Sequence, residues 1–122
     1  MKHNNKVTGE IGEQLACDFL LNKGYQILER NYQQQKTEVD IIAKHQNCLV
    51  IVEVKTRSSN FVNPENAVSK AKQKTLVEAA VLYQEKHAIK SEIRFDIISI
   101  IKTKQETEIL HFEDAFYPYT TY

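Results

Sequence analysis

Residues 37–57 read TEVDIIAKHQNCLVIVEVKTR, and this stretch decides the fold. Two apolar runs, residues 38–43 and 49–55, are rich in β-branched residues and flank a polar segment around Gln46-Asn47, a pattern typical of two strands joined by a short turn. Charged side chains interrupt both runs at alternate positions: Glu38, Asp40, Glu53 and Lys55. Charges inside an apolar hairpin need partners, because burying an unpaired charge is costly.

The alternation of side chains along a strand groups these charges by face. Glu38 and Asp40 share one face of the first strand, and Glu53 and Lys55 share one face of the second. The apolar side chains then point the other way: Val39, Ile41, Val52 and Val54. If the hairpin closes around Gln46-Asn47, the simplest register sets Asp40 opposite Glu53 and Glu38 opposite Lys55.

Two facing carboxylates favour a divalent cation between them. At about 4 Å they repel by roughly 4 kcal/mol at an effective dielectric constant near 20. Mg²⁺ prefers oxygen ligands and is usually held by one or two carboxylates together with water and phosphate oxygens. Lys55 would then contact a scissile phosphate or orient an attacking water. The alternative is a surface hairpin with a Glu38–Lys55 ion pair and two solvated acids, since such pairs are common and contribute little.

An Asp on one strand followed by Glu-x-Lys at the end of the next resembles the motif of the PD-(D/E)xK nuclease superfamily. The wider pattern consists of Gly9-x-x-Gly12-Glu13, Gly24-Tyr25-x-Ile27-Leu28-x-Arg30-Asn31, Glu38-Val39-Asp40-Ile41-Ile42, Val52-Glu53-Val54-Lys55-Thr56-Arg57, Lys72 and Arg94-Phe95-Asp96. Together these segments resemble the YraN-type family of small bacterial proteins, which is similar to archaeal Holliday junction resolvases. The resemblance extends from about Val7 to Phe116.

This resemblance implies a restriction-endonuclease-like α/β core, with a mixed central sheet flanked by helices, and metal-dependent cleavage of branched, nicked or single-stranded DNA. It assigns the following roles: Asp40 and Glu53 bind Mg²⁺ or Mn²⁺ with the Val54 carbonyl as a further ligand, Lys55 orients or activates water, Glu13 supports the site from a helix, Glu38 is an accessory acid, and Arg57 and Lys72 contact phosphate. A homodimer would match the symmetry of a DNA junction.

Two long helices are predicted around the hairpin. The first begins near Thr8 as N-cap and ends before Gly24. Its buried stripe is Ile11, Leu15, Ala16, Phe19 and Leu20, with Glu13 at the edge. The second begins at Asn63-Pro64 and runs to about His87. Its packed side is Val68, Ala71, Thr75, Leu76, Ala79, Ala80 and Tyr83. Lys72 and Lys74 are two residues apart, so only one of them can face the site, and the family resemblance selects Lys72.

Two further strands are predicted, at residues 93–101 and 108–112. The long helix before them implies a crossover between parallel strands. Asp96 lies within an apolar run, and we expect a structural hydrogen bond to Arg94 or Arg57 rather than metal binding. The loop 58–63 is a candidate substrate contact, and packing is the simplest role for the aromatic tail from Phe116 onward.

Composition sets the remaining expectations. The 122 residues predict one domain, 1–122, because no linker or repeat divides them. A polar N-terminus and short apolar runs predict a cytoplasmic protein that does not enter the membrane. Cys17 and Cys48 lack ligand spacing and are expected to be reduced, and no small-molecule cofactor is indicated.

Sixteen basic and sixteen acidic residues give a formal net charge of zero, whereas nucleic-acid-binding domains are often basic. A metal site must itself carry acids, so a nuclease domain can be neutral overall. Two alternatives to the nuclease therefore stay open. One is a non-catalytic module that binds nucleic acid or a DNA-repair partner, and the other is a structural or regulatory interaction protein.

Overall fold

A mixed five-stranded sheet with one helix packed on each face organises this α/β fold. The computed structural model of the chain describes residues 5–58 and 68–116. In chain order the elements are α1 (Asn5–Asn22), β1 (Gln26–Gln34), β2 (Thr37–His45), β3 (Cys48–Arg57), α2 (Lys70–His87), β4 (Glu92–Lys102) and β5 (Thr107–Phe112). The strand order is β1-β2-β3-β4-β5, and only β3 and β4 are parallel. This architecture confirms the predicted fold class and is compatible with a restriction-endonuclease-like core.

Two apolar clusters hold the helices to the sheet. The cluster under α1 contains Ala16, Cys17, Leu20, Tyr25, Ile41, Ala43, Val50, Val52, Ile98 and Ile100. The cluster under α2 contains Val39, Ile42, Leu49, Ile51, Val68, Leu76, Ala79, Ala80, Tyr83, Phe95, Ile97 and Phe116. Because both faces of the central strands are covered, β3 and β4 read as almost continuous apolar runs.

The helices differ in detail from the predictions. Helix α1 begins at Asn5, so the predicted start near Thr8 is wrong. Ile11 is 44% exposed and does not belong to the buried stripe. The small residue Gly12 faces the sheet instead, where a Cβ atom would overlap Thr56 Oγ1.

Helix α2 is capped by Ser69, whose Oγ accepts a hydrogen bond from the Lys72 N–H at 3.1 Å. The predicted start at Asn63-Pro64 lies outside the described residues. Ala71, assigned to the packed side, is exposed because it lies off the buried stripe of α2, which is formed by Leu76, Ala79, Ala80 and Tyr83.

The strand predictions are largely confirmed. The β2–β3 hairpin closes around Gln46-Asn47, with His45 opposite Cys48 and Gln46 at φ 55°. The crossover through α2 joins the parallel pair, as predicted, and Cys17 and Cys48 are both free. Strand β1 was not predicted. Neither helix of the described ranges is long and apolar enough to cross a membrane.

The sheet divides into two arms between β2 and β3. Their ladder ends at Ile41 opposite Val52, although β2 begins at Thr37 and β3 continues to Arg57. The outer ladders continue, β1 with β2 as far as Thr37 and β3 with β4 as far as Arg57. We call the gap between residues 37–40 of β2 and 53–57 of β3 the fork.

The side-chain alternation of β2 breaks where the fork begins. Val39 packs in the cluster under α2, whereas Ile41 packs in the cluster under α1. A regular strand would place these two side chains on one face, so the prediction that Val39 shares a face with Ile41 is wrong. The predicted register of the hairpin is confirmed, since Ile41 lies opposite Val52, but the ladder stops at this pair and Asp40 and Glu53, one step further, do not form a backbone pair.

Candidate active site

An open cleft of about 440 Å³ lies in the fork and receives side chains from both helices. Its walls are formed by Gly9 and Glu13 of α1, Glu38 and Asp40 of β2, Glu53, Val54 and Thr56 of β3, and Lys72 of α2. The structure therefore brings together six of the eight predicted site residues around one cleft. Lys55 adjoins the cleft through its contact with Glu53. Arg57 is exposed and is not among the lining residues.

Asp40 accounts for the way in which the fork opens. Its Oδ2 accepts a hydrogen bond from the Val54 N–H at 2.8 Å, so this amide is satisfied by a side chain where the β2–β3 ladder has ended. Burial raises the pKa of Asp40, and the Val54 amide and Lys72 partly oppose that rise. One carboxylate oxygen is thus used to hold β3 beside β2.

Glu53 is the most deeply buried acid of the cleft, with 7% of its surface exposed. Its Oε2 lies 3.6 Å from Lys55 Nζ, and its Oε1 has no hydrogen-bond partner in the described residues. Burial, followed by the nearby Asp40 carboxylate, raises the pKa of Glu53 to about 7, against the opposing effects of Lys72 and Lys55. An unpartnered buried oxygen is rare in folded proteins and requires an explanation.

These contacts exclude the surface-hairpin alternative. That reading required two solvated acids and a cross-strand ion pair between Glu38 and Lys55. Glu53 is buried instead, and in the described part of the chain Lys55 pairs with Glu53 and not with Glu38. Glu53 is therefore part of the interior of the fold, and of the acids of the fork Glu38 is the exposed one.

Glu13 and Lys72 approach the strand acids from opposite helices. Burial, and then the charge of Asp40, raises the pKa of Glu13, while a hydrogen bond with Asn31 lowers it. Lys72 Nζ donates to the Glu38 carbonyl oxygen at 3.3 Å. Lys74 is exposed and does not line the cleft, in agreement with the expected separation of the two lysines.

Asp96 has the structural role that was expected. Its carboxylate accepts hydrogen bonds from Arg94 at 2.9 and 2.8 Å and from the Asp114 N–H at 3.0 Å, and it lies 2.7 Å from His111 Nε2. Burial alone would raise the pKa of Asp96, but these hydrogen bonds hold it below its usual range. Asp96 does not line the acidic cleft, and Arg57 is not its partner.

Three residues at or near the site were not singled out from the sequence: Gly9, Asn31 and Thr56. Each lies inside one of the motif segments given above, but only the fold shows that it is close to the cleft. Gly9 and Thr56 line the cleft. Asn31, at φ 51°, lies opposite Asp40 at a position that the β1–β2 ladder leaves unpaired. Its side chain forms a hydrogen bond with Glu13. The predicted substrate loop beyond Ser58 and the tail beyond Phe116 lie outside the described residues.

The residues of the cleft fit a hard divalent cation with a limited protein ligand set. No group of three or more His, Cys, Asp or Glu side chains in residues 5–58 and 68–116 is arranged to hold a metal. The available oxygen donors are the Asp40 and Glu53 carboxylates and the adjacent Val54 carbonyl, the kind of ligands that Mg²⁺ and Mn²⁺ prefer. The orphaned Glu53 Oε1 is consistent with such an ion.

Comparison with known proteins gives one family. The sequence model of the uncharacterised protein family UPF0102 matches residues 12–100. A UPF0102 protein of Flavobacterium psychrophilum is 51% identical over 95% of this chain and 97% of its own length. The corresponding protein of Christiangramia forsetii is 48% identical over 96% and 98%. That of Thermodesulfovibrio yellowstonii is 44% identical over 89% and 95%.

Proposed function

Because the chain belongs to the uncharacterised protein family UPF0102, we propose its function from the cleft itself: a metal-dependent, endonuclease-like DNA-processing protein that hydrolyses phosphodiester bonds. Family membership confirms the YraN-type resemblance. The further likeness to PD-(D/E)xK nucleases and Holliday junction resolvases is part of this proposal. Branched, nicked or single-stranded DNA is the substrate class that this likeness favours.

The observation that carries the proposal is the buried, unpartnered Oε1 of Glu53 beside the Asp40 carboxylate. Leaving a buried acceptor unsatisfied costs roughly 1–3 kcal/mol, and more for a charged group. A cation in the fork would remove this cost and the repulsion between the two acids. A structural role alone gives no reason to place a carboxyl group with an unpartnered oxygen at this depth.

Each neighbouring side chain has a role that follows from its place. When bound, Mg²⁺ or Mn²⁺ would activate water and stabilise developing charge on a phosphate. Glu53 holds Lys55 Nζ at 3.6 Å, and this partly exposed ammonium can donate to a phosphate oxygen or orient a water. Lys72 reaches the cleft from α2 and supplies a second cation for the phosphate backbone. Glu13 adds a third acid from α1 at the same opening.

The partner implied by this chemistry is DNA, and a homodimer would suit a substrate with two equivalent strands. Arg57 is exposed at the end of β3, outside the cleft lining, so any phosphate that it contacts lies away from the hydrolysed bond. We therefore place Lys55 and Lys72 at the scissile phosphate and Arg57 at a flanking one.

The second candidate function is a non-catalytic nucleic-acid-binding module on the same fold. It is favoured by the lack of a third acid in metal-binding geometry within the described ranges. In this reading the acids of the fork are structural and turnover is absent.

The test is cleavage of labelled duplex, single-stranded, nicked, flap and four-way-junction DNA with Mg²⁺ or Mn²⁺. The variants are Asp40→Asn and Lys55→Ala, with Lys74→Ala and Asp18→Asn as controls. The control residues are exposed and do not line the cleft. Metal-dependent cutting that is lost in both cleft variants and kept in both controls supports the nuclease.

Two outcomes contradict this proposal. Cutting that survives in Asp40→Asn and Lys55→Ala at the wild-type rate would place the activity elsewhere. The absence of cutting on every substrate, with equal DNA binding by all variants, would favour the binding module. Isothermal titration with Mn²⁺ gives an independent readout, because the cleft predicts one site that Asp40→Asn removes.

A further inference from the structure

A second cavity, of about 540 Å³, lies at the opposite end of α2 from the acidic cleft. Its walls come from the starts of β1 and β3, the β2–β3 turn, the last turns of α2 and the segment that leads into β4. This volume falls within the range of about 300–1,000 Å³ typical of ligand sites. The proposed hydrolysis does not use this cavity, and Leu28 is the one described lining residue that is named in a motif segment above.

The charge of this cavity is opposite to that of the cleft. Its lining contains Lys44, Lys90 and His87 and no Asp or Glu residue. Both lysines are exposed, and neither forms an ion pair in the described part of the chain. The whole protein has equal numbers of acidic and basic residues, so the positive charge of this cavity reflects how the residues are distributed and not an excess of basic residues in the chain. Two unpaired ammonium groups at one cavity suit an anionic ligand.

The remaining walls suit a flat ring. Tyr83 is almost fully buried, and its hydroxyl donates to Glu29 Oε2 at 3.1 Å, which fixes the ring. The His87 ring lies 4.2 Å from the Tyr83 ring, at an angle of 41°, and remains exposed. Leu28 and Leu49 contribute aliphatic surface to the lining. A ring can therefore pack on His87 and the apolar surface while an attached anion contacts the lysines.

We propose that this cavity binds one nucleotide unit, with the base against His87 and the apolar wall and the phosphate at Lys44 and Lys90. This inference deepens the proposed function, and the choice of a DNA strand as the source of the nucleotide rests on that function. Fifteen residues of α2 separate Lys72 from His87, or about 22 Å at 1.5 Å per residue. In a DNA duplex each strand advances about 3.4 Å along the helix axis per phosphate, so some six or seven nucleotides of duplex span the two sites.

The test is fluorescence anisotropy of a labelled 12-nucleotide single strand with a chelator present, at several salt concentrations. The Lys44→Gln/Lys90→Gln variant is compared with Lys86→Gln/Lys102→Gln, which removes the same net charge from exposed residues that do not line the cavity. Losing the contact with this one phosphate should reduce the slope of log affinity against log salt by about 0.7, and the control pair should not change it. His87→Ala should weaken binding about fivefold or more.

A competition arm with a deoxynucleoside monophosphate identifies the source of the nucleotide. Displacement of the strand by the mononucleotide, with the same lysine dependence, shows that a single unit suffices. Displacement only by oligonucleotides shows that a strand is required, and both results support the site. Equal salt slopes and affinities for the two double variants, or no binding of strand or mononucleotide by the wild type, would overturn it. Circular dichroism verifies that each variant is folded.

The outcome is separable from that of the nuclease assay. Binding that depends on Lys44 and Lys90 in the absence of any cleavage rejects hydrolysis and keeps the nucleotide site. Cleavage by the wild type, with the two double variants binding alike, rejects the nucleotide site and keeps hydrolysis. Asp40→Asn should lose cleavage while keeping the lysine-dependent binding.

Discussion

The Glu53→Gln variant should be more stable than the wild type at pH 8 and close to it at pH 5 when a chelator removes divalent cations. Burial, and then the charge of Asp40, raises the pKa of Glu53 from its usual 4.5 to about 7. The folded state therefore favours the neutral acid. Ionisation of Glu53 in the folded state lowers the free energy of unfolding. This loss of stability is absent well below pH 4.5, grows as the pH rises and is complete well above pH 7. Glutamine remains neutral and avoids this loss.

The size of the effect follows from the two pKa values. A rise from 4.5 to about 7 corresponds to roughly 3 kcal/mol of lost stability well above pH 7. Most of this loss falls between pH 5 and pH 8. The raised pKa of Asp40 acts in the same direction and steepens the wild-type curve.

The assay is urea unfolding followed by circular dichroism between pH 5 and pH 8.5 in a chelating buffer. Glu108→Gln on β5 is the matched control, because Glu108 is exposed. The free energy of unfolding of this control should follow the wild type at every pH. A difference between Glu53→Gln and the wild type that stays constant from pH 5 to pH 8 would refute the argument from burial.

Three further predictions test other parts of the structure. Gly12→Ala should lose about 1–3 kcal/mol in urea unfolding, because the new Cβ overlaps Thr56 Oγ1, whereas Gly9→Ala has open space and should gain about 0.5–1 kcal/mol; equal effects would contradict this packing. Mn²⁺ at a hundred times its Kd should stabilise the wild type by about 2.7 kcal/mol in thermal unfolding and leave Asp40→Asn unchanged, and equal shifts would place the ion elsewhere. Asp96→Asn should lose about 3–5 kcal/mol at pH 7, because it breaks a buried ion pair. Since hydrogen bonds lower the pKa of Asp96, the wild type should lose this advantage as the pH falls below about 3.8, and acid unfolding at the same pH for both proteins would contradict the assignment.

The local pattern of the sequence was enough to predict the hairpin, the crossover and the clustering of acids. Strands β2 and β3 carry strong β-branched runs, and the polar Gln46-Asn47 turn fixes their register. Lys72 could be separated from Lys74 because helical periodicity places them on different sides. These features depend on residues close together in the chain, which is why a single sequence is sufficient.

The fork could not be predicted, because it depends on contacts between distant segments. The ladder ends where the Val54 amide bonds to the Asp40 carboxylate, and where Val39 and Ile41 pack under different helices. Strand β1 was missed for another reason. It is an edge strand of mostly polar, partly exposed residues, so it lacks the apolar alternation on which the prediction relied.

The fork also has a consequence for the solubility of the chain. Where β2 and β3 part, each exposes a strand margin, and unpaired margins can recruit strands from other molecules and start aggregation. Ionisable side chains line both margins, Glu38 and Asp40 on β2 and Glu53 with Lys55 on β3, and the Asp40 carboxylate occupies the Val54 amide. We therefore expect the same side chains to act as gatekeepers against self-association, so that neutralising them together would shorten the time for which the protein stays monodisperse.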